Sequence, residues 1–348
     1  MKGRQTWVRP SMFLLLVLLM GCLVCEAGAA PSTPATTPSA KATTWKFIGH
    51  SPPIHVGAAM LIKMAGAVSQ RTKGQLVMEY HQWEEFGYKG PEMLELIGSG
   101  AADIGTLLGN YHEGEEPTLA VASLPFLGNT EQIPVKLNAL RPYMEKVLDK
   151  RNMKILLIYD LPSVLWEKNK IDTVDDFNRL KIRVTGSAPA RALRGLGAQA
   201  LPMALGEIYQ ALLTGILTGT TFSVTGAESQ SIQEVTKHLY LSPAISYMAG
   251  IVVVNKNKFN SLPSEAQKVL VETAKEYELP VIDSIRIIPP ELRARLEKRV
   301  TIHDSLSPQI VDQMVKRGGF SAWDEWIAKR PEAKPALEAV MSALGIRR

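Results

Sequence analysis

Hydrophobic and polar positions change their period several times along this chain, and each change marks an element. Trp45–Gly49 (WKFIG) reads as a first strand. A turn with two prolines, His50–His55, follows it. Over Val56–Thr72 the apolar positions Met60, Leu61, Met64, Ala65 and Val68 then recur at helical spacing, and Lys73-Gly74 closes that helix. Gln75–His81 alternates, with Leu76, Met78 and Tyr80 on one face, and reads as a second strand. Glu92–Ser99 reads as a helix capped by Gly100, and Asp103–Leu108 as a short buried strand. This order of strand, helix, strand, helix, strand predicts a parallel α/β sheet.

The second half repeats the vocabulary. Lys154–Tyr159 (KILLIY) is a strand leading toward it. Lys181–Val184 (KIRV) is another, with Ile182 and Val184 alternating with two basic residues. A polar turn at Thr185–Pro189 precedes a helix at Ala190–Leu196, which stops at Gly197. Glu207–Thr214 is a further helix, amphipathic through Ile208, Ala211 and Leu212 and ended by Gly215. Gly250–Asn255 (GIVVVN) reads as a buried strand. Ser264–Leu279 reads as a helix with Ser264 as N-cap and Glu265 in its first turn. Ser307–Lys316 and Phe320–Lys329 read as closing helices. Ile97–Gly105 and Leu212–Thr220 line up as helix, glycine, strand, which suits either two similar halves or any helix-to-strand joint.

Composition adds the setting. The chain has 348 residues, room for about two domains, with 46% hydrophobic and 21% charged residues. Residues 1–30 read as a signal peptide: Lys2, Arg4 and Arg9 precede the unbroken apolar run Met12–Met20. Two cleavage readings stay open. Leu19-Met20-Gly21-Cys22 resembles a lipobox that would leave Cys22 as the site of lipid attachment, whereas Ala27-Gly28-Ala29 is an A-x-A site that would release a soluble protein. Residues 31–44, rich in Pro, Ser and Thr, suit a disordered tether. Removal of Lys2, Arg4 and Arg9 lowers the formal charge from +5 to +2 for a chain that starts at Cys22. That balance gives no reason to expect a nucleic-acid partner. The two cysteines, Cys22 and Cys25, both lie in this segment, so the mature fold has no disulfide, thiol nucleophile or cysteine metal site.

The residue with chemistry is Arg183, an arginine among apolar strand residues just before a glycine turn. Facing a crevice, its planar fork would hold a carboxylate through two parallel hydrogen bonds; facing outward, it is a solvated or ion-paired surface group. Its surroundings narrow the choice. KIRV followed by LGAQALPMALGEIYQALLTG resembles the solute-binding proteins of TRAP transporters, the DctP type. Thr72-Lys73-Gly74, Ile97–Asp103, Ala122–Leu127 (ASLPFL) and Asp172–Phe177 (DTVDDF) resemble further family segments, so that the likeness spans Trp45–Trp326.

The resemblance implies a two-lobed α/β periplasmic-binding-protein architecture with a hinge and an interlobe ligand cleft. Lobe I would comprise residues 45–160 and about 246–285, and lobe II residues 161–245 and about 286–348. It implies an extracytoplasmic, periplasmic protein; no cofactor and no metal-ligating residues are read from the sequence, and whether a metal ion helps hold the ligand stays open. Such a protein binds a small organic acid and works with TRAP membrane permease subunits, touching the membrane through the permease and, if acylated, a lipid anchor. Arg183 would clamp the carboxylate, and the lack of a second arginine near Trp166 favours a monocarboxylate. His50 is either a polar ligand contact or a cap for the next helix. Phe222 either stacks on the ligand or belongs to the core. Tyr247 is expected to donate its hydroxyl, and Leu108 to make one wall greasy. Trp83 is a weaker candidate. The family's long helix behind the two lobes would be interrupted here by Pro280 and by Pro289-Pro290.

An enzyme is the rival class. G-x-S-x-G, H-E-x-x-H, Walker and G-x-G-x-x-G motifs are all missing, and the six histidines lack ligand spacing. Asp175-Asp176 precedes a strand and reads as a solvated turn. A sensor that reports its ligand to a membrane receptor is a further alternative within the binding class.

Overall fold

The computed structural model describes residues 42–348; the signal segment, Cys22 and most of the tether lie outside the described residues. The strands are β1 (Thr43–Gly49), β2 (Leu76–Gln82), β3 (Ile104–Leu108), β4 (Met153–Glu167), β5 (Lys181–Val184), β6 (Gln199–Pro202), β7 (Gly219–Phe222), β8 (His238–Tyr240), β9 (Ser246–Asn255) and β10 (Thr301–His303). They form one sheet in the order β2-β1-β3-β9-β4-β7-β5-β6, with β8 added to β4 and β10 to β8.

The opening strands β1, β2 and β3 pair in parallel, as their order predicts, but the sheet as a whole is mixed. Each end is a parallel triplet, β2-β1-β3 and β7-β5-β6. Two long strands, β9 and β4, join them and run antiparallel to their neighbours. β4 continues well past the predicted KILLIY. It pairs with β9 as far as Ser163 and with β7 from Val164 to Glu167, so a single strand serves both triplets. Pro162 hid this continuity. It sits where β4 has β9 on one edge and has not yet met β7 on the other, a place where a missing N–H does no harm.

The repeated helix-glycine-strand joint is real in the backbone. Gly100 and Gly215 both adopt positive φ, at 85° and 80°. Each amide bonds three residues back, to Ile97 and Leu212 respectively, and β3 and β7 begin four residues later. Glycine is used because its backbone enters this region without a Cβ clash.

Helix boundaries bring two corrections. Pro280 does not interrupt the helix that begins at Ser264; that helix runs through it to Arg286. The break falls at Ile287–Pro289, and a new helix starts at Pro290. One proline removes one intrahelical bond and can be carried by a well-packed helix, whereas the residue before a Pro-Pro pair is pushed into extended backbone. Ser264 is also the first helical residue rather than its cap, which is Pro263. A long helix, Ile133–Lys150, was not anticipated. Its buried residues Ile133, Leu137, Leu140, Met144 and Leu148 keep helical spacing, but Pro134 and the internal Pro142 mask the pattern.

That helix carries an unusual feature into the core. Nζ of Lys136 lies 2.7 Å from Oδ2 of Asp160 on β4, with the two side chains 1% and 0% exposed. Nζ also stands 3.2 Å from the ring centroid of Tyr247 on β9.

Candidate functional site

A cavity of about 500 Å³ opens beside β4, between the turn that follows β1, the chain that follows β7 and the break at Ile287–Pro289. Its wall includes His50, Tyr159, Pro162, Val164, Ser223 and Ile288. Tyr159 reaches this wall by crossing a neighbouring strand. A Cβ on Gly250 would lie 2.2 Å from the tyrosine ring, so only glycine lets the ring pass over β9. The Tyr159 hydroxyl then stands 3.1 Å from Nδ1 of His50, and the two rings stack with centroids 6.1 Å apart. His50 therefore packs on tyrosine and does not cap the following helix, whose N-cap is His55. Neither Tyr159 nor Gly250 was singled out in the sequence. A tyrosine ending an apolar run and a glycine opening another were the available signals, but their pairing depends on strand register.

The cations that line the cavity are already matched. Arg286 pairs with Glu131 and with Asp283, the latter at 2.8 Å. Arg293 holds both oxygens of Asp304, at 2.7 and 3.1 Å. Arg183 differs. It is 6% exposed, and its Nε donates to the Met203 carbonyl at 3.1 Å. Among the described residues its two terminal nitrogens donate to no protein group, and no carboxylate pairs with it. Burial lowers the guanidinium's pKa, with no neighbouring charge acting against that shift.

Arg183 is not part of the cavity wall, but it shares a sheet face with it. Side chains of register partners point to the same side, and successive residues alternate. Arg183 is opposite Thr220, which is opposite Trp166; Phe222 is opposite Val164. Pro162 and Val164, on the same face of β4 as Trp166, line the cavity. These six residues thus form one surface that runs from the cavity wall to the arginine.

The other expected contacts fall in different places. Phe222 is half-buried at the end of β7, beside the cavity-lining Ser223 but outside the wall. Trp166 is fully buried between β7 and β8. Leu108 is buried opposite Gly250 and is not part of the wall. Tyr247 is buried as well, opposite the cavity-lining Pro162; it is not itself in the wall, and its hydroxyl donates to the Gly128 carbonyl at 3.0 Å. Trp83 packs against His50 at 5.9 Å between centroids. Among the described residues no group of three or more His, Cys, Asp or Glu is arranged to hold a metal ion.

Residues 48–320 match the DctP family, bacterial extracellular solute-binding protein, family 7. The chain belongs to this family. It is 27% identical over 270 residues to the 2,3-diketo-L-gulonate-binding periplasmic protein of Escherichia coli (strain K12), covering 73% of this chain and 81% of that one. In structure it resembles an extracytoplasmic solute receptor of Bordetella pertussis that binds pyroglutamic acid, with TM-score 0.72, 22% identity, and coverage of 86% of this chain and 100% of the other. It also resembles the ectoine-binding protein of the TeaABC TRAP transporter in its apo state, with TM-score 0.79, 17% identity, and coverage of 88% and 100%. The DctP-family protein thus has the two-lobed α/β fold of TRAP solute receptors, and its family and relatives are receptors rather than enzymes.

Two histidines give the molecule an acid limit. Burial, with His55 adding to it, pushes the pKa of His50 down to about 4. Burial and the nearby Arg151 push that of His112 to about 4, and neither of its ring nitrogens has a partner. Unfolded, both titrate near 6.5. Above that value both states are neutral. As pH falls from 6.5 toward 4 the unfolded chain binds protons that the folded chain refuses, so stability drops. Thermal unfolding followed across this window is expected to show a falling Tm, with a shallower slope in His112→Leu. Equal slopes would mean that His112 is charged or partnered in the folded protein.

Proposed function

We propose that this DctP-family protein captures an organic acid between its lobes through Arg183 and delivers it to TRAP membrane permease subunits. The observation that carries this reading is a buried guanidinium with no carboxylate of its own, on the sheet face that leads to the cavity. A buried cation left unpaired is costly, and an acid held by the planar fork removes that cost. Arg286 and Arg293 are committed to protein carboxylates, which leaves Arg183 as the arginine open to the solute among the described residues near the cavity and favours a monocarboxylate. Diketogulonate and pyroglutamate, bound by two of the relatives, each carry one carboxyl group.

In this reading residues 45–160 with about 246–285 make lobe I, and 161–245 with about 286–348 make lobe II, so that β4 crosses between lobes and closure bends it there. Phe222 and Trp166 shape the site beside Arg183, and His50 contacts the solute from the far wall. Leu108 and Tyr247 pack beside that wall. Cys22 carries a lipid anchor if the lipobox is used; an A-x-A cut leaves a free periplasmic protein.

A thermal-shift screen tests the class. Monocarboxylates with a carbonyl or hydroxyl group, pyroglutamate and D-glucuronate among them, are expected to raise Tm by several degrees at saturation. Succinate, amines and neutral sugars are expected to leave it in place. A shift produced only by uncharged solutes would remove the carboxylate from the reading.

A further inference from the structure

Three donors stand in a row across the sheet. Arg183 on β5, Thr220 on β7 and Trp166 on β4 are consecutive register partners, so their side chains share a face. Thr220 and Trp166 are each 0% exposed. The Thr220 hydroxyl and the Trp166 indole N–H have no hydrogen-bond partner among the described residues. The terminal nitrogens of Arg183 have none either. Buried polar groups are nearly always paired, so two orphans beside an unpaired guanidinium need an occupant. Arg183 and the indole only donate, and the Thr220 hydroxyl, with no acceptor of its own nearby, has a hydrogen to place. The row therefore lacks acceptors.

We infer that Arg183, Thr220 and Trp166 form one oxyanion subsite, in which Thr220 and Trp166 are specificity-determining donors beside the arginine. This rests on the reading that Arg183 binds the solute's carboxylate. A carboxylate seated on the fork keeps lone pairs free for the Thr220 hydroxyl, its nearest neighbour in the row. Trp166, one strand further on, meets an uncharged acceptor oxygen attached near the carboxyl carbon. The solute class is then an acid with a second acceptor beside its carboxylate: an oxo, hydroxy or lactam acid rather than a plain aliphatic one. Phe222 and Val164 lie between the row and the cavity along the strands. Phe222 is only half-buried, and an acid entering from the cavity passes its ring.

Thr220→Val is the deciding variant, since it keeps the shape and removes the hydroxyl. Removing an unpartnered buried donor leaves stability unchanged or raises it. Calorimetry with pyroglutamate is expected to show binding about ten-fold weaker or more, with the Tm of the free protein not lowered. Nitrogen-15 NMR is expected to show the Trp166 indole signal, assigned with Trp166→Phe, moving on pyroglutamate addition. A Tm loss of several degrees in Thr220→Val would mean that the hydroxyl is bonded within the protein and would overturn the inference. So would unchanged pyroglutamate affinity in Thr220→Val alongside a large loss in Arg183→Ala. If Arg183→Ala itself binds as well as wild type, the underlying reading fails instead.

Discussion

Arg183→Ala is expected to weaken binding of the captured acid by about 2–5 kcal/mol, on the order of thirty-fold to several-thousand-fold. The size follows from what the substitution leaves behind: a carboxylate drawn from water into a buried site with no cation to meet it. The free protein should not suffer in the same way. Among the described residues Arg183 makes one side-chain hydrogen bond, to the Met203 carbonyl, and neutralises no carboxylate. Its loss is therefore expected to leave Tm within a few degrees of wild type. Arg183→Lys should recover only part of the affinity, because an ammonium cannot grip both carboxylate oxygens at once. Calorimetry on all three proteins checks this, using an acid that shifts wild-type Tm. Full affinity in Arg183→Ala would show that the acid binds elsewhere. A collapse of Tm with no specific loss of affinity would make the arginine structural.

Lys136→Met is expected to destabilise the fold by about 3–5 kcal/mol, the largest loss anticipated for a residue outside the binding face. The substitution strands Asp160, which is 0% exposed and whose Oδ1 has no partner even in the intact pair. Burial raises the pKa of Asp160 and lowers that of Lys136, each opposed by the other's charge. Removing both charges is a different matter. Lys136→Met with Asp160→Leu is expected to recover most of the loss, because two desolvated ions are replaced by packing. Urea unfolding of the two single variants and the double variant gives the coupling directly. If Lys136→Met costs no more than a surface substitution, the pair is not sealed from water. The same variants report on Tyr247, whose ring faces Lys136 and whose hydroxyl is committed to Gly128.

Legibility in the sequence followed how local each signal was. KIRV was read to the residue, because two branched apolar positions alternate with two cations over four residues. The helix Val56–Arg71 and the joints at Gly100 and Gly215 were equally plain, since spacing and a glycine stop lie within one window. The helix Ile133–Lys150 kept its apolar period but was obscured by two prolines. β4 was cut short at Tyr159 because Asp160, Pro162 and Ser163 resemble a turn when the neighbouring strands are unknown. By propensity alone Pro280 ends a helix, yet the helix Ser264–Arg286 runs through it, with Val281 and Ile282 buried just beyond.

By itself the sequence determined the α/β character, the family through KIRV and the segments around it, and Arg183 as the one residue to watch. Each depends on residue type at short spacing, where steric and hydrogen-bond rules act directly. Only the tertiary structure decided that Arg183 has no carboxylate partner among the described residues, that Arg286 and Arg293 already have theirs, and that Thr220 and Trp166 share its row. Likewise only the fold brought Tyr159 across Gly250 to His50, and bound the Tyr247 hydroxyl to the Gly128 carbonyl. These are matters of strand register and of partners tens of residues distant, and a one-residue change of register would turn every such side chain to the opposite face.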